Sequence, residues 1–279
     1  MKLQKLLREA KRDGYAVGAF NIFNHVSADA AIRAAEELGS PVILQTSTST
    51  VKRYGPKKLA DILLPLASGA SVPVVVHLDH CTDPALAKAC MEAGWDSIMI
   101  DASHCPLAEN ISVTGDVVRT AHAMGIDVEG ELGTIEGVED EISNARGSHA
   151  DFTESLIYVE KTGIDAFAPA IGTAHGVYKG EPRIDFELVG RLAQATHCPI
   201  VIHGGTGLSG EVFRALIEKG ACKINVSTAL KHAYIDGIQA YLKENPEKAD
   251  PLAIDEAAYI AIREAVKRHI RIFKGLPEG

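Results

Sequence analysis

No apolar run in this chain approaches the roughly 18 residues that a membrane-crossing helix needs. With 46% hydrophobic and 23% charged residues, it reads as a soluble globular chain that can bury a sizeable core. A dense Lys/Arg cluster is also missing. At a formal net charge of -9, nucleic-acid binding is not expected, because it usually requires a basic stripe for phosphates; an anionic ligand would need a locally positive site. The five cysteines, Cys81, Cys90, Cys105, Cys198 and Cys222, are odd in number and include no CxxC pair. That argues against a disulfide framework and a thiolate zinc site, leaving most of them as packing residues. The opening "MKLQKLLREAKRDG" sets Leu3, Leu6, Leu7 and Ala10 on one helical stripe, but charges interrupt any signal-peptide core. A cytoplasmic location without membrane attachment is the resulting expectation.

What is present is a repeat. Short β-branched runs recur: "YAVGAFNI" at 15, "PVILQTS" at 41, "PVVVHLDH" at 73, "SIMIDAS" at 97, "DVEGELG" at 127, "AFAPAIG" at 166, "PIVIHGG" at 199 and "CKINVST" at 222. Continuous apolar runs suit parallel strands buried on both faces, and the segments between them, such as 84–93 and 210–219, repeat apolar residues at helical spacing. Eight βα units over roughly 230 residues predict a (β/α)8 TIM barrel, with the N-terminal helix capping its bottom. One domain over residues 1–279 then suffices. The rival is an open doubly wound sheet, but no GxGxxG at the first βα turn supports dinucleotide binding there.

Two segments interrupt the alternation. "TIEGVEDEISNARGSHAD", 134–151, is polar, acidic and too long for an ordinary βα loop, so it is expected to be a mobile active-site lid. Residues 245–279 add an amphipathic C-terminal helix beyond the eighth unit, expected to cover the barrel's flank or a subunit neighbour.

Catalytic groups of such barrels come from the C-terminal ends of strands. Here those ends carry Asn21 and Asn24, Asp79 and His80, Asp101, Ser103 and His104, Glu129 and Glu131, then "GTAHGVYKG", "HGGTG" and "NVST". Singly, each has an ordinary structural reading; Asp101, for one, could cap the next helix. Together, His80, His175 and His203 at the ends of the third, sixth and seventh strands suggest three imidazoles and an open position, the usual ligand set of a catalytic zinc. His104 and Cys105 are rival ligands. His25, His122, His149, His197, His232 and His269 are expected in solvent or in loops. Strict strand alternation puts His77 and Asp79 on one face and His80 on the other. Asp79 and His80 can share a site only if the pleat is bent near Asp79, with His77 then a core or supporting residue. Gly204, Gly205 and Gly207 would let backbone approach a phosphate, Thr206 adds a hydroxyl, and the following helix N-termini favour negative charge. The same glycines could simply close a βα turn.

"HLDHC" at 77–81, "MIDASH" at 99–104, "VEGELG" at 128–133, "IGTAHGVYKG" at 171–180, "HGGTGLSG" at 203–210 and "KINVST" at 223–228 occur in the order of the class II ketose-bisphosphate aldolases. The chain resembles that family, which includes fructose- and tagatose-bisphosphate aldolases, over nearly its whole length. The resemblance implies that His80, His175 and His203 hold a catalytic zinc and that Asp79 is the acid/base at the substrate C4 hydroxyl. It implies that Asp101 and Glu131 hold a second divalent metal in some members, and it leaves room for a monovalent cation. The dihydroxyacetone-phosphate pocket would comprise Gly176, Lys179, Gly204, Gly205, Thr206, Asn225, Val226, Ser227 and Thr228, with Asn21 touching substrate. Glu139, on the lid, matches the acid that exchanges a proton with dihydroxyacetone phosphate. One departure bears on that assignment: Glu136 stands where the family usually has the first glycine of a pair.

The implied partners are a phosphorylated ketose and dihydroxyacetone phosphate, and the family implies homodimers or tetramers. Two alternatives remain: a Schiff-base aldolase using Lys223, and a non-catalytic sugar-phosphate-binding subunit on an aldolase-like barrel. The motifs do not distinguish fructose from tagatose. Ser47, Ser49 and Arg53 are only candidate contributors at the aldehyde-phosphate end.

Overall fold

The computed structural model describes residues 2–139, 142–144, 147–175, 183–247 and 250–277; the side chains of 136–139, 142–144 and His175 lie outside that description. In chain order the strands are β1 (Val17–Asn21), β2 (Val42–Ser47), β3 (Val74–Cys81), β4 (Ser97–Ile100), β5 (Asp127–Leu132), β6 (Glu136–Glu139), β7 (Ile142–Asn144), β8 (Ala166–Pro169), β9 (Ala174–His175), β10 (Ile200–Ile202) and β11 (Ala221–Val226). Eight of them close into a parallel barrel in the order β1-β11-β10-β8-β5-β4-β3-β2. These are the eight runs read from the sequence, so the sixth, seventh and eighth expected strands are β8, β10 and β11.

The strands are apolar on both sides because they separate two cores. Phe20, Leu44, Val76, Ile98, Val128, Phe167, Ile202 and Ile224 face outward to the helix layer, while Val17, Ala19, Ile43, Val75, Ala166, Ala168, Val201 and Cys222 fill the interior. The helix Leu3–Asp13 plugs the bottom: Leu3, Leu6, Leu7 and Ala10 are buried among those interior residues, and Gly14 ends the helix in the left-handed region at φ 72. No described helix is long and apolar enough to cross a membrane.

Helices Thr228–Glu244 and Pro251–Lys274 pack together, and the latter lies against His25–Glu37. The C-terminal helix thus covers its own barrel. It also corrects the expectation for His269, which sits on this helix rather than in a loop, its ring against Phe20, Phe213 and Phe273 and its Nδ1 2.8 Å from the Ala265 carbonyl oxygen.

The segment after β5 contains strand pairing that its polar composition does not suggest. β6 pairs antiparallel with β7 and parallel with β9, so the expected lid carries a hairpin that meets the β9 strand, with Gly137 opposite His175. Backbone hydrogen bonding organises this segment even though its side-chain pattern has no apolar face to announce it.

Candidate active site

β3 solves the alternation problem with a bulge. Its register against β4 shifts between Leu78 and Cys81, and His80 takes φ 45, the one positive φ among described non-glycine residues. The Thr48 hydroxyl holds the bulge by donating to the His80 carbonyl oxygen at 3.1 Å. Left-handed backbone costs about 1–2 kcal/mol for a residue with a side chain, and here it turns His80 to the same side as Asp79. Both are buried.

Asp79 sits among amides. Asn21 Nδ2 donates to its Oδ2 at 2.8 Å, Gln45 Nε2 to the same oxygen at 3.1 Å, and Asn225 Nδ2 to Oδ1 at 3.1 Å. Gln45 also donates to Asn21 Oδ1 at 2.7 Å, which steers the Asn21 nitrogen toward Asp79. The carboxylate is therefore aimed from β1, β2 and β11 together.

Beside it, His80 Nε2 and His203 Nδ1 face each other at 2.7 Å. Their outer nitrogens meet carboxylates: His80 Nδ1 lies 3.2 Å from Asp101 Oδ2, and His203 Nε2 lies 2.7 Å from Glu129 Oε1. A carboxylate behind an imidazole fixes the proton on the outer nitrogen and leaves the inner one as a ligand. Two inner lone pairs so close together repel unless a proton or a metal cation lies between them. Glu131 Oε2, buried and without a hydrogen-bond partner among the described residues, lies 3.9 Å from His80 Nδ1 and 3.8 Å from His203 Nδ1. Ligand atoms of Asp79, His80 and His203, and of His80, Asp101 and Glu131, each gather within 4.8 Å. This donor set fits a metal ion.

The electrostatics are uneven. Burial works to raise both the Asp101 and Glu129 carboxyls, yet His80 and Ser103 hold Asp101 below its ordinary value, and Lys223, His203 and His77 do the same for Glu129. Glu131 goes the other way, raised by burial and by the nearby charge of Asp101. Burial, then the charge of Lys223, presses His77 down to about 3, so it is a neutral ring bonded to Ser97 Oγ at 2.8 Å. Burial also lowers His203, with the neighbouring His80 ring adding to the effect.

The "VEGELG" glycine has a packing reason. A Cβ on Gly130 would lie 2.4 Å from Tyr158 Oη, on the outside of β5, while Glu129 and Glu131 point inward. Gly204 is likewise required, with φ +69 and a place for Cβ only 2.6 Å from the Ala174 carbonyl oxygen. After Gly204, Gly205 and Thr206 come the helix Gly210–Glu218, and after Asn225 the helix starting at Thr228 with Ser227 before it. Both helices direct their N-termini to the same rim as the histidines. The Val226 side chain belongs to the outer core, so its backbone alone is available to a ligand.

The structure thus brings Asn21, Asp79, His80, Asp101, Glu131, His203 and Asn225 together. His175 lies on β9, its side chain outside the described residues, as is that of Glu139 on β6; Gly176 and Lys179 lie outside them altogether. The rivals His104 and Cys105 are exposed and half-buried and join neither cluster. Sequence reasoning gave no role to Gln45 or to Glu129. The signal was faint: a lone amide in an apolar run, and a second acid two residues from Glu131 and so on the same strand face.

With this geometry in hand, three comparisons agree. The family model for class II fructose-bisphosphate aldolase matches residues 1–276. Fructose-bisphosphate aldolases of Geobacillus stearothermophilus and Staphylococcus aureus are 40% identical over 276 residues and 39% over 277, each covering 98% of this chain and 96% of the relative. The crystal structure of the YdjI aldolase from Escherichia coli K12 superposes with a TM-score of 0.86 at 32% identity, covering 98% of this chain and 96% of that one. A protein whose eight-stranded barrel gathers these histidines and carboxylates at one rim, and which matches these relatives end to end, belongs to the class II fructose-bisphosphate aldolase family of metal-dependent carbon–carbon lyases.

Proposed function

We propose that the protein is a zinc-dependent aldolase that reversibly cleaves a ketose 1,6-bisphosphate to dihydroxyacetone phosphate and an aldehyde phosphate. The observation that carries this is the pairing of an amide-held carboxylate, Asp79, with two carboxylate-backed histidines whose inner nitrogens converge. On this reading His80, His175 and His203 hold the zinc. The bound ion would supply Lewis-acid polarisation of the ketose carbonyl. Asp79 takes the C4 hydroxyl proton, with Asn21, Gln45 and Asn225 keeping its oxygens in place as the C3–C4 bond breaks. Glu139, carried by the β6–β7 lid, returns a proton to the three-carbon fragment. Gly204, Gly205, Thr206, Asn225, Val226, Ser227 and Thr228, with Gly176 and Lys179, cradle that fragment's phosphate against the helix N-termini, so binding energy orients the reacting carbon. Asp101 and Glu131 are the candidates for a second divalent metal, and the family leaves room for a monovalent cation.

Fructose 1,6-bisphosphate is the favoured substrate because the relatives at 40% and 39% identity carry that name, with tagatose bisphosphate the competitor. We infer a cytoplasmic homo-oligomer, dimer or tetramer, with a single catalytic domain over 1–279. The Schiff-base alternative is disfavoured because Lys223 is fully buried with Nζ 2.9 Å from Glu129 Oε2, whereas a nucleophilic amine must present a free lone pair to the carbonyl. A non-catalytic subunit would have no need of the amide cage around Asp79. The test is metal analysis with a coupled cleavage assay on both ketose bisphosphates. About one zinc per chain and activity lost on chelation are expected, with fructose bisphosphate cleaved faster. A metal-free, fully active protein, or a borohydride-trapped adduct at Lys223, would sink this reading.

A further inference from the structure

Lys223 is fully buried on β11, and no step of the proposed cleavage uses it. One side of its ammonium faces Glu129, and on the other Nζ donates to Asn225 Oδ1 at 2.7 Å. Asn225 in turn gives its Nδ2 to Asp79 Oδ1 at 3.1 Å. A side-chain amide has one accepting and one donating end of nearly equal size, and only its partners decide which way it faces. With the oxygen held by a cation, the NH2 end must face Asp79. Reversed, the amide would set its oxygen against a carboxylate and its NH2 against an ammonium. The same Nδ2 lies 3.3 Å from His203 Nε2 and 3.5 Å from His203 Nδ1, divided between the two ring nitrogens, so the amide's orientation is set by Lys223 and Asp79 rather than by the imidazole.

We propose that Lys223 is a positioning residue that fixes the Asn225 amide so that it donates to Asp79. Glu129 anchors the other side of the ammonium and ties it to His203, so the lysine sits between the acid/base and the metal ligands. The proposal rests on the reading of Asp79 as acid/base given above. Asp79 has three amide donors, but two of them, Asn21 and Gln45, share Oδ2; Asn225 alone holds Oδ1 among the described side-chain contacts. Losing its direction frees one carboxylate oxygen to turn away from the substrate.

The test is a double-mutant cycle between Lys223→Met and Asn225→Ala on kcat of the zinc-loaded enzyme. Because Lys223→Met leaves Glu129 buried beside one cation fewer and can fail to fold, the cycle is repeated with Glu129→Gln throughout. With Glu129→Gln in place, Lys223→Met strands no buried carboxylate, while the introduced amide oxygen can still accept from His203. Expected are an unchanged melting temperature and zinc content relative to the background, and a kcat about 10- to 100-fold lower on Lys223→Met. Adding Lys223→Met to Asn225→Ala should lower kcat less than about threefold further, because both changes remove the same donor. A merely structural lysine would instead change melting temperature and leave the two losses multiplicative. Multiplied losses, or a kcat within about twofold of the background, overturn the proposal. Asp79→Ala is run alongside: retained turnover there overturns the acid/base reading and this inference with it, whereas an inactive Asp79→Ala with a fully active Lys223→Met overturns the inference alone.

Discussion

His80 shows how one residue's backbone can decide chemistry. At φ 45 it accepts strain so that two consecutive side chains serve the same site. The neighbouring positions then divide the work, and substitution separates them. Asp79→Ala should retain zinc, since the histidines and their backing carboxylates remain, while turnover falls by about 10²- to 10⁴-fold, the usual share of a general acid/base. His203→Ala should lose both metal and activity. Metal analysis beside steady-state kinetics distinguishes the two, and equal metal loss would recast Asp79 as a ligand. Asp79, His80 and His203 were legible in the sequence because "HLDHC" and "HGGTG" are chemically unusual at strand ends. Gln45 and Glu129 were not, because their importance lies in partners that come from other strands: Asn21 and Asp79 for the one, His203 and Lys223 for the other.

At the scale of elements, the strands were readable because a buried parallel strand is apolar throughout, and the segment after β5 stood out as a gap in that pattern. Its hairpin was not, since pairing between β6, β7 and β9 is a matter of backbone partners that composition does not name. The C-terminal helix yields a pH effect. Burial holds His269 below its ordinary value of 6.5, partly opposed by its bond to the Ala265 carbonyl. The unfolded chain therefore binds a proton at His269 before the folded protein does. Stability from this ring is full above the unfolded value and is lost as pH falls from about 6.5 toward the folded value. Denaturant unfolding at about pH 7 and pH 5.5 should show a smaller acid loss for His269→Phe than for the original protein. An identical pH dependence would mean that the ring is protonated equally in both states.

For the whole molecule, the barrel separates stability from chemistry by its two ends. The bottom is closed by the helix Leu3–Asp13, and the polar residues gather at the opposite rim. Leu7, fully buried under the barrel, should cost about 2–5 kcal/mol of unfolding free energy as Leu7→Ala, from lost transfer energy and the cavity left behind. Zinc content and kcat of the folded fraction should stay near the original values, because the leucine stripe packs with the interior residues Val17, Ala19, Ile43, Val75, Ala166, Ala168, Val201 and Cys222 at the end of the barrel away from the rim. Chemical denaturation and kinetics below the transition check this; a large fall in kcat with little loss of stability would show that the two ends are coupled.

What the sequence by itself determined was periodic and local. Eight apolar runs separated by helical patterns favour a barrel over an open sheet, an amphipathic first helix must bury its leucine stripe, and polar strand ends mark the rim where chemistry can occur. The tertiary structure decided which polar groups meet. Whether Asp79 and His80 share a side depended on a bulge set by β4 and Thr48, and which end of the Asn225 amide faces Asp79 depended on a lysine held by a carboxylate from β5. Hydrogen bonds and ion pairs act over a few ångströms, so their outcome is fixed only once residues distant along the chain are brought side by side by closure of the barrel.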